Sequence, residues 1–520
     1  MADIYTNPIL KGDYSDPDVI RVGNDFYMTS SSFTYFPGMP ILHSTDLVHW
    51  EHIGYAAQSL PFPAYENTNH KKGTWAPCIR YHNGTFYVYV CAPDEGLLAF
   101  TASDPAGPWR MTHAANETGW IDPTVLFDDD GSVWLVHAWA RSRAAIDSRL
   151  YLHRMNANGT KVIDGGVEIF HEEKRHPTTE GPKIYKRNDY YYIMSPAGGV
   201  KTGWQLILRS RNIEGPYDEK IVLHQGTTDV NGPHQGGWVD TPYGEDYFIH
   251  FQDVYPYGRI PHLQPVKWVD DWPLMGTNQD ADGCGEPVKE APMPKGLPVT
   301  EPKIYTSDDF TGDRLGLQWQ WQANPRTEWY SLTENPGALR LNTCRIPRTG
   351  TLFHAGNFLS QLMQSFDFTW TVKVDLHAKE PGDRAGIAVM GYRYHYLAVE
   401  AGRDGYVLKL VDGEAQDMPR GYVEQVTESA AEEAPLASGT VTLRMTVRSD
   451  FAGEHPRMFV QYSYNEDGIT FRNIGSEREG FAGGWTGARP GIFAANFRGK
   501  VSPGYADFYH LTVEPLLSLC

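Results

Sequence analysis

A two-strand pattern occurs five times in the first 275 residues and restricts the folds open to this chain. Each copy has a short apolar strand, a turn containing Gly, Asn or Asp, and a second strand rich in aromatic residues. The copies lie at 16–27, 75–87, 122–134, 180–191 and 237–247. Their second-strand aromatic residues are 60, 47, 57 and 56 residues apart, which leaves room for four strands per unit. Five such units predict a closed, five-bladed β-propeller rather than an open sandwich, which has no such period.

Three acidic residues open the first strand of units one, three and four. Asp16, Asp122 and Glu180 lie 11, 12 and 11 residues before the second-strand aromatic residue of their own unit. We therefore expect them to occupy one structural position, where the innermost strands of a propeller converge on one end of the channel. A single Asp-Pro step is usually an ordinary turn, but three acids in register across one repeat indicate a shared site.

Such a cluster has a defined chemistry. Neighbouring carboxyl groups raise each other's pKa, so that one can stay protonated while another is ionised. An acid and an ionised partner are the two groups that glycoside hydrolysis requires. The longer Glu180 suits the acid that protonates the leaving oxygen, and Asp16 suits the base that activates water. Asp122 is then expected to orient the acid and tune its pKa.

The charge and the ends of the sequence narrow the partners and the location. A net charge of −19 disfavours nucleic acid, anionic lipid and acidic polysaccharides, and it favours neutral substrates. No apolar run approaches membrane-spanning length, and the first five residues lack the features of a signal peptide. The five cysteines fit reduced thiols better than a disulfide framework, and all but Cys520 are expected to be buried. We therefore expect a cytoplasmic protein.

A proline-rich segment separates the repeats from a second β-rich region. Residues 285–303 contain five prolines and are interpreted as a stiff linker between domains 1–284 and 304–520. Alternating apolar and polar residues predict an antiparallel sandwich there, with strands in 366–375, 385–390, 441–447 and 458–464. The charged residues 427–434 are interpreted as a mobile surface segment.

Seven motifs together make the sequence similar to family-43 glycoside hydrolases, in particular β-xylosidases and α-L-arabinofuranosidases. They lie at 7–17, 31–38, 75–80, 121–123, 180–182, 232–237 and 257–259, and the resemblance extends over essentially the whole chain. It implies a concanavalin-like β-sandwich as the second domain, and it leaves open whether this domain lends a loop to the pocket. It also implies inverting hydrolysis with Asp16 as general base, Asp122 as pKa modulator and Glu180 as general acid. Ser15, where Pro often stands, is a departure that touches no catalytic group.

The resemblance further implies the walls of a sugar pocket. Phe33 and Trp75 resemble the walls around the terminal sugar, and Arg259 resembles a donor to sugar hydroxyl groups. His234 resembles a channel histidine, beside which some relatives hold a calcium ion or a water. The alternatives are a surface ion pair for Arg259 and a satisfied core residue for His234. No cofactor is required and no metal ligand is assigned, while a structural calcium near the channel is allowed.

The leading hypothesis is an exo-acting, inverting enzyme that releases xylose, arabinofuranose or both from short, neutral, xylan-derived oligosaccharides. Inversion requires the base and acid carboxyl groups to lie roughly 6.5–9.5 Å apart. One alternative is a retaining, fructosidase-like propeller, whose signature motifs are absent from the sequence. Another is a non-catalytic sugar-binding propeller with a lectin-like sandwich, which needs no acid triad. A homo-oligomer is compatible with any of these.

Overall fold

A computed structural model describes residues 3–346, 350–402, 405–416, 425–453 and 455–516. Within these ranges the helices are short: an α-helical turn at Arg141–Ala144 and 3-10 turns at Pro63–Tyr65, Thr327–Trp329 and Leu352–His354. None of them is long and apolar enough to cross a membrane. The remaining elements are strands, which confirms the all-β class. Cys520 and the first two residues lie outside the described ranges.

Five antiparallel sheets of four consecutive strands each make up the first part of the chain, and they confirm the five-bladed propeller. Each blade begins with its innermost strand and ends with its outermost strand. The blades consist of Asp18–Val22, Asp25–Thr29, Gly38–Ser44 and Glu51–Ala57; Trp75–His82, Thr85–Ala92, Gly96–Ala102 and Arg110–Ala115; Trp120–Phe127, Val133–Trp139, Arg149–Met155 and Val167–His171; Lys183–Arg187, Tyr190–Ala197, Trp204–Ser210 and Asp218–His224; and His234–Asp240, Asp246–Val254, Gly258–Val269 and Trp272–Met275.

The segments that precede the first blade and follow the fifth blade pair with each other. Ile4–Thr6 pairs antiparallel with Glu290–Pro292, which belongs to the proline-rich segment. The side chain of Asn7 donates to the carbonyl oxygens of Leu263 and Val288 and accepts from the Leu263 N–H. The proline-rich segment therefore lies along the propeller and closes it.

The second part of the chain is a sandwich of two eight-stranded sheets. One sheet contains Gln320–Trp321, Leu359–Ser360, Arg489–Asn496, Asp383–Met390, Arg393–Ala401, Tyr406–Ala415 and Val426–Leu436, with Cys344–Arg345 paired to Arg489–Asn496. The other contains Tyr330–Ser331, Leu339–Asn342, Tyr505–Pro515, Phe368–His377, Thr440–Asp450, Arg457–Asn465 and Arg472–Asn473, with Arg478–Gly480 paired to Arg457–Asn465. The predicted antiparallel sandwich is thus present.

The interpretation of residues 427–434 as a mobile segment is wrong. They lie in the edge strand Val426–Leu436, which pairs with Tyr406–Ala415 along its length. Charged, exposed residues on an edge strand prevent it from pairing with other chains. The polar composition of these residues therefore indicates a protected edge strand and not a loop.

The two domains share one hydrophobic core. Val254, Tyr257 and Ile260 of the fifth blade pack in the same buried cluster as Trp319 and Trp321 of the sandwich. The backbones also meet, since Phe36 and Trp321 exchange two N–H···O hydrogen bonds of 2.9 and 2.6 Å. The sandwich is therefore fixed against the propeller, and residues 481–489 lie at its contact with the fifth blade.

Candidate active site

All five innermost strands begin with the same backbone turn. Each has one residue with a positive φ just before the strand or within its first three residues: Asp16 (54°), Ala76 (38°), Asp122 (54°), Gly181 (58°) and Gln235 (39°). A proline follows the first four of these residues, and a glycine follows the fifth. These five positions are therefore equivalent and form one ring around the end of the channel.

The prediction that the three acids share one position is wrong by one residue for Glu180. Gly181 occupies the aspartate position of the fourth blade, and Glu180 precedes it. The predicted spacing was counted to Tyr191, but the strand Tyr190–Ala197 starts with three tyrosines. Tyr192 is the residue whose cross-strand pairing is equivalent to that of Tyr27 in the first blade. Glu180 therefore belongs to a second ring, which also contains Trp75 and His234.

The two rings bring the three acids together with partners of different kinds. Asp16 accepts a 2.6 Å hydrogen bond from the Ser31 hydroxyl, and its other oxygen lies 3.1 Å from the Arg259 guanidinium. Both oxygens of this buried carboxylate thus have partners, and its charge is compensated by an arginine. The two contacts therefore fix the orientation of the Asp16 carboxyl group.

Asp122 is buried and is affected by the charges of both other acids. Its Oδ2 accepts hydrogen bonds from the Gly181 N–H at 2.8 Å and from the Gln235 amide at 3.2 Å. Burial, followed by the negative charges of Glu180 and Asp16, raises the pKa of Asp122 well above its ordinary value. The two neighbouring acids thus favour the protonated form of Asp122.

Glu180 is the acid that reaches the open pocket. Its side chain is 32% exposed, whereas that of Asp16 is 4% exposed. The Glu180 Oε1 lies 3.0 Å from Nε2 of His234, which is fully buried. His234 comes from the equivalent position of the next blade, so the two side chains enter the pocket side by side. Their contact fixes the direction of the Glu180 carboxyl group.

The pocket walls come from both domains. Phe33 and Trp75 are both buried in one hydrophobic cluster of the propeller, and their role as pocket walls stays a prediction. Trp485 of the sandwich packs against both rings, with centroid distances of 4.5 Å to Trp75 and 6.0 Å to Phe33. This tryptophan is 38% exposed and has a positive φ of 64°. Sequence analysis missed Trp485, because the repeat that located the other residues does not extend into the sandwich.

Arg259 is not a surface ion-pair residue. Its guanidinium is buried, contacts Asp16 and lies 5.0 Å from the ring of Phe251. The carboxylates of Asp16 and Asp253 outweigh the effect of burial and raise the pKa of Arg259. The arginine is therefore a permanent positive charge at the base of the pocket.

A calcium ion in the channel, which would take roughly six to eight oxygen ligands, some of them from water, stays a prediction. The buried Nδ1 of His234 has no partner among the described residues, but it offers nitrogen. The Lys183 ammonium reaches across the channel to the carbonyl of Pro77 at 3.2 Å, so a positive charge is already present. Over the described ranges, a group of three side chains suited to an ion occurs at His224, Asp280 and Cys284, near the outer strand of the fourth blade.

A buried aspartate held by an arginine and a more exposed glutamate held by a histidine, below aromatic walls, can together move protons to and from a bound sugar. Glycoside hydrolases are the class of enzyme that this propeller and this site define.

Comparison with known proteins gives the family. Residues 5–273 match the family model for glycosyl hydrolases family 43, and residues 307–514 match that for the β-xylosidase C-terminal concanavalin A-like domain. The chain therefore belongs to glycoside hydrolase family 43. These matches confirm the family resemblance and the concanavalin-like nature of the sandwich.

Individual relatives agree with this assignment. The chain is 42% identical to a protein of Xylanibacter ruminicola that is named as a β-xylosidase. The match extends over 374 residues, which are 72% of this chain and 68% of the relative. It is 30% identical over 544 residues, 97% of its length and 93% of the relative's, to the non-reducing end α-L-arabinofuranosidase BoGH43B of Bacteroides ovatus. The solved xylan β-1,4-xylosidase of Bacillus halodurans C-125 is similar at a TM-score of 0.83 and 25% identity, covering 98% of this chain and 99% of that one. These relatives do not favour the fructosidase or non-catalytic alternatives.

Proposed function

We propose that this protein is an inverting exo-glycosidase that releases xylose, arabinofuranose or both from short xylan-derived oligosaccharides. The observation that carries the proposal is the difference between the three carboxyl environments. Asp16 is paired with a guanidinium, Asp122 is buried among acids, and Glu180 is exposed to the pocket. The names of the relatives support both sugars as products.

The proposed reaction is a single displacement. Asp16 takes a proton from a water molecule, whose oxygen forms a bond to the anomeric carbon. The bond from that carbon to the leaving oxygen breaks, and Glu180 gives its proton to this oxygen. Arg259 and Ser31 orient the Asp16 carboxyl group, and His234 orients that of Glu180.

The walls of the pocket support an exo mode of action. Trp485 packs against Trp75 and Phe33, and we propose that this aromatic group blocks one side of the pocket. A pocket blocked on one side suits the terminal sugar of a chain. A calcium ion in the channel is not part of this proposal.

Charge and cysteine state support the rest of the proposal. The net charge of −19 favours neutral oligosaccharides. Cys78, Cys91, Cys284 and Cys344 are free thiols, which supports a cytoplasmic location where short, imported substrates would be met. A homo-oligomer is compatible with the proposal, and light scattering after gel filtration measures the mass directly.

A comparison of two leaving groups tests the roles. Nitrophenolate needs little protonation, whereas the sugar leaving group of xylobiose needs an acid. We expect Glu180→Gln to lower kcat between about 100-fold and 10,000-fold on xylobiose, and much less on nitrophenyl xyloside. Asp16→Asn should lower both by a similar factor, because both reactions need the base.

The matched control is Glu172→Gln, which changes an exposed glutamate in an ion pair with Arg175. It should leave both substrates unaffected. Equal losses on the two substrates for Glu180→Gln would contradict its role as the acid. The anomer released first, followed by NMR, tests inversion, and nitrophenyl arabinofuranoside assayed beside the xyloside gives the sugar preference.

A further inference from the structure

Asp13 is a buried carboxylate at the meeting point of the two domains. Its Oδ1 accepts hydrogen bonds from the Arg259 N–H at 2.8 Å and the Ser15 hydroxyl at 3.0 Å. Its Oδ2 accepts from the N–H of Gly487, which belongs to the sandwich, at 2.8 Å. One side chain thus connects its own segment to two distant ones, of which one belongs to the sandwich.

Each of these three donors leads directly to the site. Arg259 contacts the Asp16 carboxylate through its guanidinium. Ser15 immediately precedes Asp16, whose backbone is held in the left-handed region. Gly487 lies two residues after Trp485, the pocket wall supplied by the sandwich. Asp13 therefore contacts the supports of the base and of the wall, although it does not itself line the sugar pocket.

The backbone around Asp13 accommodates this side chain only because glycines are present. A Cβ atom on Gly258, which has a φ of 103°, would lie 2.4 Å from the Asp13 Cγ. A Cβ atom on Gly487 would lie 2.1 Å from the carbonyl oxygen of Tyr257. Contacts this short exclude any larger residue at either position without a backbone shift. The two glycines thus let the sandwich loop reach the carboxylate.

A second buried charge accompanies Asp13 from the sandwich side. Arg489 is buried, lies 3.8 Å from the ring of Tyr35 and donates to the Gln320 amide oxygen at 2.8 Å. A carboxyl group and a guanidinium are therefore both buried where the domains meet, inside a largely apolar interface. Such contacts specify one arrangement more than they add stability.

We propose that Asp13 is an interdomain positioning residue that sets the Trp485 wall and the Asp16–Arg259 pair together. The proposal rests on the proposed hydrolase function. The pocket is then complete only when the sandwich loop that carries Trp485 contacts Asp13. A change at Asp13 should therefore affect both substrate binding and the orientation of Asp16.

The first test needs no substrate. Asparagine at position 13 keeps one acceptor oxygen and loses the other. The N–H groups of Gly487 and Arg259 then compete for the remaining oxygen. We expect Asp13→Asn to speed amide hydrogen exchange roughly tenfold in peptides covering 481–488 or 257–261. Unchanged exchange in both peptides would overturn the proposal, whatever sugar the enzyme cleaves.

The second test is a double-mutant cycle with Trp485→Ala. Asp13→Asn alone should raise KM roughly tenfold on the better of the two nitrophenyl glycosides. In the Trp485→Ala protein it should raise KM less than about threefold, because the wall that Asp13 seats is already gone. KM effects that multiply fully would overturn the proposal, whereas a wild-type enzyme that cleaves neither glycoside would contradict the proposed function instead.

The matched control is another buried carboxylate. Asp383 lies in the sandwich and also accepts two backbone N–H groups, those of Lys379 and Glu380. Asp383→Asn should lower stability without changing KM or exchange in 481–488. If Asp13→Asn does not fold, Ser15→Ala removes one of the three donors and is combined with Trp485→Ala in the same cycle; additivity there counts against the proposal.

Discussion

Replacing His234 by phenylalanine measures how much the direction of the acid contributes to the rate. The His234 Nε2 lies 3.0 Å from Glu180 Oε1. As Glu180 gives up its proton in the transition state, this becomes a hydrogen bond to a charged group, which contributes about 1.5–3 kcal/mol. The lower end applies here, because the Glu180 side chain is 32% exposed and water replaces the lost donor. Phenylalanine keeps the volume of the ring and loses nothing at Nδ1, which has no partner within the described residues.

The expected loss of about 1.5 kcal/mol corresponds to a reduction in kcat of roughly tenfold. The assay compares xylobiose with nitrophenyl xyloside, because the histidine acts through the acid and only the first substrate depends strongly on it. We expect the tenfold reduction on xylobiose and less than about threefold on the nitrophenyl substrate. In the Glu180→Gln protein, the same substitution should have little further effect.

A buried histidine from the same blade provides the control. His250 contacts the carbonyl of Phe251 and the Gln264 amide rather than an acid. His250→Phe should lower the melting temperature without changing the ratio of the two substrates. The reasoning fails if His234→Phe lowers kcat equally on both substrates, or if its effect multiplies with that of Glu180→Gln.

Two further predictions concern the ring of positive-φ residues. The pKa of Asp122 in the folded protein is raised above its ordinary value of 3.8. Protonated Asp122 therefore contributes its full share to the free energy of unfolding below pH 3.8, and this share is lost as the pH rises through the pKa of the folded protein. The wild-type melting temperature should therefore fall over that window relative to Asp122→Asn, and parallel curves between pH 4 and 8 in scanning fluorimetry would contradict this. Gly181→Ala places a Cβ atom 2.6 Å from the Gln235 Cγ at a φ of 58°, so it should lower both stability and kcat. Gly131→Ala, at a φ of 83° with no atom within 4 Å, should cost only the roughly 1 kcal/mol of backbone strain and leave kcat unchanged.

The propeller and its acids could be predicted because they repeat. Five copies of one hairpin gave the number of blades, and the strand starts brought Asp16 and Asp122 to equivalent positions. The predicted position of Glu180 was wrong by one residue, because the sequence alone does not show which of three consecutive tyrosines is equivalent to Tyr27. The proline that follows each positive-φ residue marks the correct register, since it must occupy the same step in each turn.

Trp485 and the role of Asp13 could not be predicted in the same way. Both depend on a contact between residues more than 400 positions apart, and it is set by the packing of one domain on another. No local periodicity reports such a contact. The charged edge strand Val426–Leu436 was misread for a related reason, because exposure on one side of a sheet resembles the composition of a loop.

The division of the site between two domains has a consequence for specificity. The three acids and Arg259 lie on the propeller, where ring symmetry and buried hydrogen bonds fix their positions. Trp485, which packs against Trp75, lies on a sandwich loop that contacts the propeller through Asp13 and close glycine packing. Changes in this loop can therefore alter the shape of the sugar pocket without moving the acids. The preference between a pyranose and a furanose is thus open to variation in a domain that carries none of the proposed catalytic groups.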